Sequence, residues 1–185
     1  MLEVEMKFAV GDFAPIEAAL ASRNVSLSLP RRDADHYFNA PDRDFAQTDE
    51  AVRVRSIGDK NFATYKGPKL DSTTKTRLEI EVPLAGGAEV AADFRRFLTS
   101  LRYRPVAVVT KTRRIAEFRR DEFEMQLTLD EVDGVGQYAE LEIMAPEDRA
   151  EAAKATLLAV AAEFGLTQSE RRSYLQLLLE KQGAK

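Results

Sequence analysis

Cysteine is absent from the 185 residues, and histidine occurs once, as His36. The first absence excludes disulfides and thiolate metal sites, and the second excludes a multi-histidine zinc site within one chain. Any metal held here must be held by oxygen, which points to magnesium, manganese or calcium. No apolar run approaches the roughly 18 residues that a membrane span needs. The first residues already carry Glu3 and Glu5 and lack the pattern of a signal peptide, so the expected location is the cytoplasm. An excess of positive charge is missing too: 27 Lys and Arg stand against 31 Asp and Glu, a net charge of −4. Neither nucleic acid nor a membrane is therefore an expected partner. Repeats, linkers and low-complexity tracts are also lacking, and the length suits one well-buried domain spanning residues 1–185.

What the sequence has is alternation. In the opening stretch Glu3, Glu5 and Lys7 alternate with Val4, Met6 and Phe8, the period of a β-strand whose successive side chains point to opposite faces. A helix is expected over 12–23, with Asp12 as N-cap. A strand over 33–41 ends in a turn at Asn39 to Asp42, and two strands within 51–68 are joined at Gly58-Asp59. A strand over 74–84 stops near Pro83 and Gly86-Gly87, and an amphipathic helix over 88–102 follows. Strands over 106–118, 121–132 and 136–144 precede two closing helical segments, 146–165 and 169–182. About eight strands with helices between and after them make an α+β domain on an antiparallel sheet or barrel.

The charges keep one face from strand to strand. Seven bases (Lys7, Arg53, Arg55, Lys66, Arg77, Lys111, Arg113) and seven acids (Glu3, Glu5, Glu79, Glu81, Asp130, Glu140, Glu142) occupy alternate strand positions opposite apolar residues. An ordinary wet sheet face would be rich in Thr, Ser, Gln and Asn as well. If the strands close into an eight-stranded barrel with its apolar side toward outer helices, the charged side faces the lumen. Grouped like charges in a lumen repel one another, and desolvated ions need partners. Clustered carboxylates call for a divalent cation and clustered bases for a polyanion, and a metal-bound polyphosphate answers both. A barrel of internal salt bridges is the competing reading. Against it, Glu3, Glu5, Glu140 and Glu142 group among themselves, as do Arg53, Arg55, Lys111 and Arg113.

The pieces E-V-E-M-K (3–7), D-H-Y-F-N (35–39), V-R-V-R (52–55), T-Y-K-G-P (64–68), R-L-E-I-E (77–81), K-T-R (111–113), L-D-E-V-D-G-V-G-Q-Y-A-E-L-E (129–142) and S-Y-L (173–175) span nearly the whole chain. In that order they resemble the CYTH, or triphosphate tunnel metalloenzyme, superfamily, and within it the CyaB-like class IV adenylyl cyclases. The resemblance implies an eight-stranded antiparallel tunnel that binds ATP or another triphosphate with Mg2+ or Mn2+. It implies Glu3, Glu5, Glu140 and Glu142 as metal ligands. Glu79, Glu81 and Asp130 form a second acidic group that places another metal or the nucleophile and so carries catalysis. Lys7, Arg53, Arg55, Lys66, Arg77, Lys111 and Arg113 are the implied triphosphate ligands. The implied activity is cyclisation of ATP to cyclic AMP and pyrophosphate. Inorganic, thiamine or nucleoside triphosphate hydrolysis is the alternative on the same site, and a non-catalytic polyphosphate or nucleotide sensor is the second.

Cyclisation also needs the base to be held, and Tyr37, Phe38, Asn39 and Tyr138 near strand ends are the expected contacts. His36 is expected to pack on its strand, and Gly134 and Gly136 to serve a hairpin. Leu175 and Leu177 to Leu179 are expected to form a buried helix face, with a homodimer interface as the alternative. Lys181 is expected in solvent, with an approach to a tunnel mouth as the alternative.

Overall fold

The computed structural model describes residues 1–71 and 73–183. Eight strands close an antiparallel barrel: β1 (Leu2–Ala9), β2 (Arg31–Asn39), β3 (Ala51–Ile57), β4 (Lys60–Lys66), β5 (Arg77–Leu84), β6 (Arg104–Arg120), β7 (Phe123–Val132) and β8 (Gly136–Ala145). Around the barrel they run β1-β5-β4-β3-β2-β6-β7-β8. The β7–β8 hairpin turns on Gly134 and Gly136 at φ of +69° and +136°, a region that side chains disfavour, so both glycines have the hairpin role expected of them. Among the described residues the helices are α1 (Ala14–Ala21), α2 (Phe45–Thr48), α3 (Ala88–Ser100), α4 (Ala150–Glu163) and α5 (Tyr174–Gly183), and none is long and apolar enough to cross a membrane.

The core lies outside the barrel, because the apolar half of each strand's alternation faces outward. Val4, Met6 and Phe8 of β1, Leu127 and Leu129 of β7, and Leu141 and Ile143 of β8 pack with Ile16 and Leu20 of α1 and Leu157 and Val160 of α4. At about 1.5–3 kcal/mol for each large side chain buried, this layer is the main favourable term in folding. A smaller cluster sets Phe38 of β2 and Val54 of β3 beneath Leu98 of α3. Helices pack outside the barrel as expected but leave part of it uncovered: on β5, Leu78, Ile80 and Val82 are 44%, 49% and 51% exposed, and Val106 and Val108 of β6 are exposed as well.

Two features shape the lumen. The seam between β1 and β5 is only Leu2–Leu78 and Glu3–Arg77, whereas β1 and β8 pair along their whole length. Past that seam the segment before β5 lies against β1, with the Lys75 N–H donating to the Glu5 carbonyl at 2.9 Å; β5 therefore starts at Arg77 and not at residue 74. At one end, Tyr174, Leu177 and Leu178 of α5 pack with Val109, Val132 and Tyr138. This packing sets the start of α5 against the barrel, with Tyr174 also lining the lumen, and it uses Leu177 and Leu178 within the chain itself. Lys181 donates to the Val135 carbonyl at 2.5 Å.

Helix ends differ from expectation in instructive ways. Phe13 is the N-cap of α1, and Asp12 accepts the Ala14 N–H at 3.0 Å from one residue further out. α5 begins at Tyr174 because the residues before it are extended: Ser169 bridges Phe8, and the Glu170 N–H reaches the Lys7 carbonyl at 2.6 Å. α2, capped by Asp44, is too short to show a helical period and was not expected.

Candidate active site in the barrel lumen

One cavity of about 290 Å³ gathers all seven expected bases and six of the seven expected acids. β1 supplies Glu3, Glu5 and Lys7; β3 Arg53 and Arg55; β4 Lys66; β5 Arg77, Glu79 and Glu81; β6 Lys111 and Arg113; β8 Glu140 and Glu142. Glu81 is exposed at the rim. The acid outside the lining is Asp130, which is fully buried behind Arg113. Its oxygens accept from Arg113 Nε and Nη2 at 2.6 and 2.5 Å and from the Tyr174 hydroxyl at 2.9 Å. Asp130 thus sits behind Arg113 and outside the cavity lining.

Signs mix more than their grouping along the chain suggested. Lys66 sits on both oxygens of Glu3 at 2.5 and 2.7 Å and also pairs with Glu79. Arg113 reaches Glu140 at 2.6 Å. The reason is cross-barrel register: sequence spacing orders charges along a strand, while ion pairs form between strands. Asp35 went unassigned although it follows the same alternation on β2. It accepts from Arg55 at 2.6 and 2.8 Å and lies 3.4 Å from Lys111 and 3.6 Å from Arg53. Burial would raise its pKa, but Lys111, Arg53 and Arg55 hold it well below the ordinary carboxylate range. Lys75, Arg31 and Tyr174 also line the cavity without having been expected there. Lys75 falls within the strand expected over 74–84 and shares the phase of Arg77, Glu79 and Glu81, so the period of two already pointed it inward, whereas Tyr174 starts a helix and carries no strand phase.

Of the residues expected to hold a base, Tyr37 lines the cavity. Phe38 points outward under α3, as its alternation with Tyr37 requires. Asn39 is engaged with Asp44, Ala40 and Phe45 in the loop before α2. Tyr138 is buried with Tyr174, ring centroids 5.2 Å apart. The apolar side chains that do line the cavity, besides Tyr37, are Ala51, Ile57 and Phe62. His36 is half-buried on the outer face beside Arg95, burial and that arginine lowering its pKa.

Buried charge leaves unmet demand in two places. Glu142 faces Glu5 directly in the β1–β8 register, and burial together with Glu3 pushes its carboxyl up to about 7. Burial and the neighbouring Arg113 and Arg55 bring the Lys111 ammonium down to about 8. Among the described residues Arg53 Nε and Arg77 Nε are buried donors without a hydrogen-bond partner, Arg77 Nε lying 3.5 Å from Glu3. Anionic oxygens would satisfy these donors, and a cation would relieve the crowded carboxylates of β1 and β8. The all-carboxylate set of Glu3, Glu5, Glu140 and Glu142 is hard-donor chemistry, suited to Mg2+ or Mn2+. Among the described residues no three carboxylates converge on one point, since lysines hold Glu3 and Glu5.

The CYTH domain family model matches residues 1–174. A Methanocaldococcus jannaschii protein provisionally named an adenylate cyclase is 36% identical over 142 residues, 77% of each chain. Adenylate cyclase CyaB of Aeromonas hydrophila is 28% identical over 95% of this chain and 87% of its own. A solved Pyrococcus horikoshii protein shares 35% identity and a TM-score of 0.84, covering 97% of this chain and 99% of that one. The fold alone is shared with a Hippeastrum protein described as having a dominant triphosphatase activity, at 14% identity and TM-score 0.67 over 97% and 95% of the two chains. With an eight-stranded barrel, a lumen of paired acids and bases and a family match over nearly its whole length, the chain belongs to the CYTH domain family.

Proposed function

We propose that this protein is a metal-dependent adenylyl cyclase that converts ATP to cyclic AMP and pyrophosphate inside the barrel. The observation that carries the reading is the cavity itself, where nine cationic side chains and six carboxylates face one space. Lys7, Arg53, Arg55, Lys66, Arg77, Lys111 and Arg113 bind the triphosphate by charge-assisted hydrogen bonds. Glu3, Glu5, Glu140 and Glu142 hold Mg2+ or Mn2+, which when bound neutralises phosphate charge as a Lewis acid. The ribose 3′-hydroxyl forms the new bond to the α-phosphorus and passes its proton to the Glu79 or Glu81 carboxylate as the bond from the α-phosphorus to the bridging oxygen breaks, and pyrophosphate leaves in line. Glu79 and Glu81 orient that hydroxyl, and Asp130 acts through Arg113. Ile57 and Phe62 take the role first expected of Phe38, Asn39 and Tyr138. That sparse apolar lining is also what favours the second reading, hydrolysis of a triphosphate, which needs no contact with a base.

Incubating the protein with ATP or tripolyphosphate plus Mg2+ or Mn2+, and resolving cyclic AMP, pyrophosphate and phosphate, separates the two. Cyclic AMP with pyrophosphate is the expected product pair; phosphate with no cyclic product under either metal overturns the cyclase and leaves the hydrolase. Phe62→Ala is expected to lower ATP turnover about tenfold, roughly the worth of one apolar contact, while sparing any cleavage of tripolyphosphate.

The state of Lys111 gives a pH dependence. Its ammonium titrates near 8 in the empty cavity, so above that pH the protein must take up a proton to present the full cationic set. Tripolyphosphate affinity is expected to fall from pH 7.5 to 9, about tenfold per unit once Lys111 is neutral. Calorimetry in buffers of different ionisation heat reads the proton uptake. Lys111→Arg, charged throughout, is expected to flatten the profile; a profile unchanged by it would clear Lys111 of the effect.

A further inference from the structure

Lysines stand on the carboxylates that a metal would need. Lys75 Nζ donates to Glu5 Oε1 at 2.6 Å, and Lys66 Nζ holds both oxygens of Glu3. All four groups are buried: Lys75 and Glu5 are 4% and 6% exposed, Lys66 and Glu3 7% and 2%. Lys75 belongs to no strand, yet its backbone is fixed by its N–H on the Glu5 carbonyl and by flanking Thr74 and Thr76, whose hydroxyls meet at 2.7 Å. A fixed backbone carrying a flexible four-carbon stem can keep its place while its ammonium changes partner. Lys75 also lines the same cavity as the phosphate-binding bases.

We infer that Lys75 is a positioning residue that couples the two ligands of the lumen, standing in for the metal on Glu5 when the cavity is empty and turning to the polyphosphate when a divalent cation takes Glu5. The inference rests on the reading of the lumen as a metal and triphosphate site. A buried ammonium and a divalent cation compete for one carboxylate. A buried charge stripped of its partner is strongly destabilising, so Lys75 leaves Glu5 readily only when another anion receives it. Polyphosphate in the same cavity is that anion. Each ligand therefore improves the site for the other, and linkage makes the gain equal in both directions. Lys66, between Glu3 and Glu79, repeats the arrangement on the neighbouring strand.

The test is Mn2+ binding by calorimetry, with and without tripolyphosphate, in the wild type and in Lys75→Met. Coupling is counted beyond the affinity of the two probes for each other in buffer. Wild type is expected to bind Mn2+ about tenfold or more tightly when tripolyphosphate is present. Lys75→Met is expected to bind Mn2+ alone about tenfold more tightly than wild type, since no internal cation must leave, and to lose most of the gain from tripolyphosphate. Circular dichroism and melting check that the variant is folded. Lys75→Gln, uncharged but still able to hydrogen-bond Glu5, must give the same signs, so a misfolded methionine variant does not shield the inference. Unchanged or weaker Mn2+ binding in a folded variant, or full coupling without Lys75, overturns it. If wild type binds Mn2+ neither alone nor with tripolyphosphate, the reading of the lumen as a metal site fails first and the inference falls with it.

Discussion

Glu5→Ala and Glu142→Ala will each cut metal-dependent turnover about 100-fold or more, the scale of losing a principal source of charge stabilisation, without unfolding the barrel. Both side chains face the lumen, so their removal leaves the outer packing layer intact, although Glu5→Ala strands the buried Lys75 ammonium and is expected to lower Tm. Glu142 is even expected to be a burden to the metal-free protein. Its carboxyl has an ordinary value of 4.5 and stands at about 7 in the fold, so the native state grips this proton more tightly than the unfolded chain does. The contribution of the group therefore falls as pH rises from about 4.5 through 7, by on the order of 1–3 kcal/mol. Glu142→Gln removes that loss. Urea unfolding of metal-free protein at pH 5 and pH 8 checks it: the variant should gain on wild type at pH 8 and not at pH 5. Retained turnover would take Glu142 out of the metal set, and equal pH dependence of both proteins would refute the crowding of carboxylates.

The largest stability effect is expected at Arg113. Its guanidinium meets both oxygens of the fully buried Asp130 and also Glu140. Arg113→Ala strands Asp130 without its main counter-charge. Breaking a buried pair from one side costs about 3–5 kcal/mol, or a fall in Tm of roughly 10 °C for a domain of this length. Arg113→Ala combined with Asp130→Asn removes the stranded charge, and Asn can still accept from the Tyr174 hydroxyl, so the double variant should melt above the single one. Both should bind tripolyphosphate weakly, because the arginine is missing from each. A double variant no more stable than the single would mean that packing, and not the charge of Asp130, accounts for the loss.

Much of the fold was legible because one rule, the period of two, operates on every strand. It placed all seven bases at the cavity and left an antiparallel sheet or a barrel, and the family resemblance supplied the closure that the strand order shows. Where the rule was silent, the reading stopped. Tyr174 starts a helix and had no strand phase from which to infer its direction, whereas Lys75, in phase with Arg77 and Glu79 on the strand expected over 74–84, was legible and was passed over. Phe38 was misassigned for the opposite reason: chemistry suggested a stacking role, while its phase relative to Tyr37 already pointed it outward. Asp35 had the right phase and was passed over because it lies apart in sequence from the other acids. The mixing of signs across the lumen, such as Lys7 opposite Glu140, and the crowding of Glu5 against Glu142 both depend on register, and register is a property of strand pairs that no single strand reveals.

The placement of the core outside the barrel and the site inside it bears on how such a chain can vary through descent. Two texts are interleaved on alternate residues of the same strands, one for holding together and one for chemistry. A substitution in the inner text leaves the outer one untouched, so substrate preference can drift while the architecture persists. Inserting or deleting a single residue within a strand exchanges the two texts downstream of it, burying charge under the helices and turning leucines into the lumen. Lineages built on this plan are therefore expected to differ by replacement within strands and by length only in the connections between them.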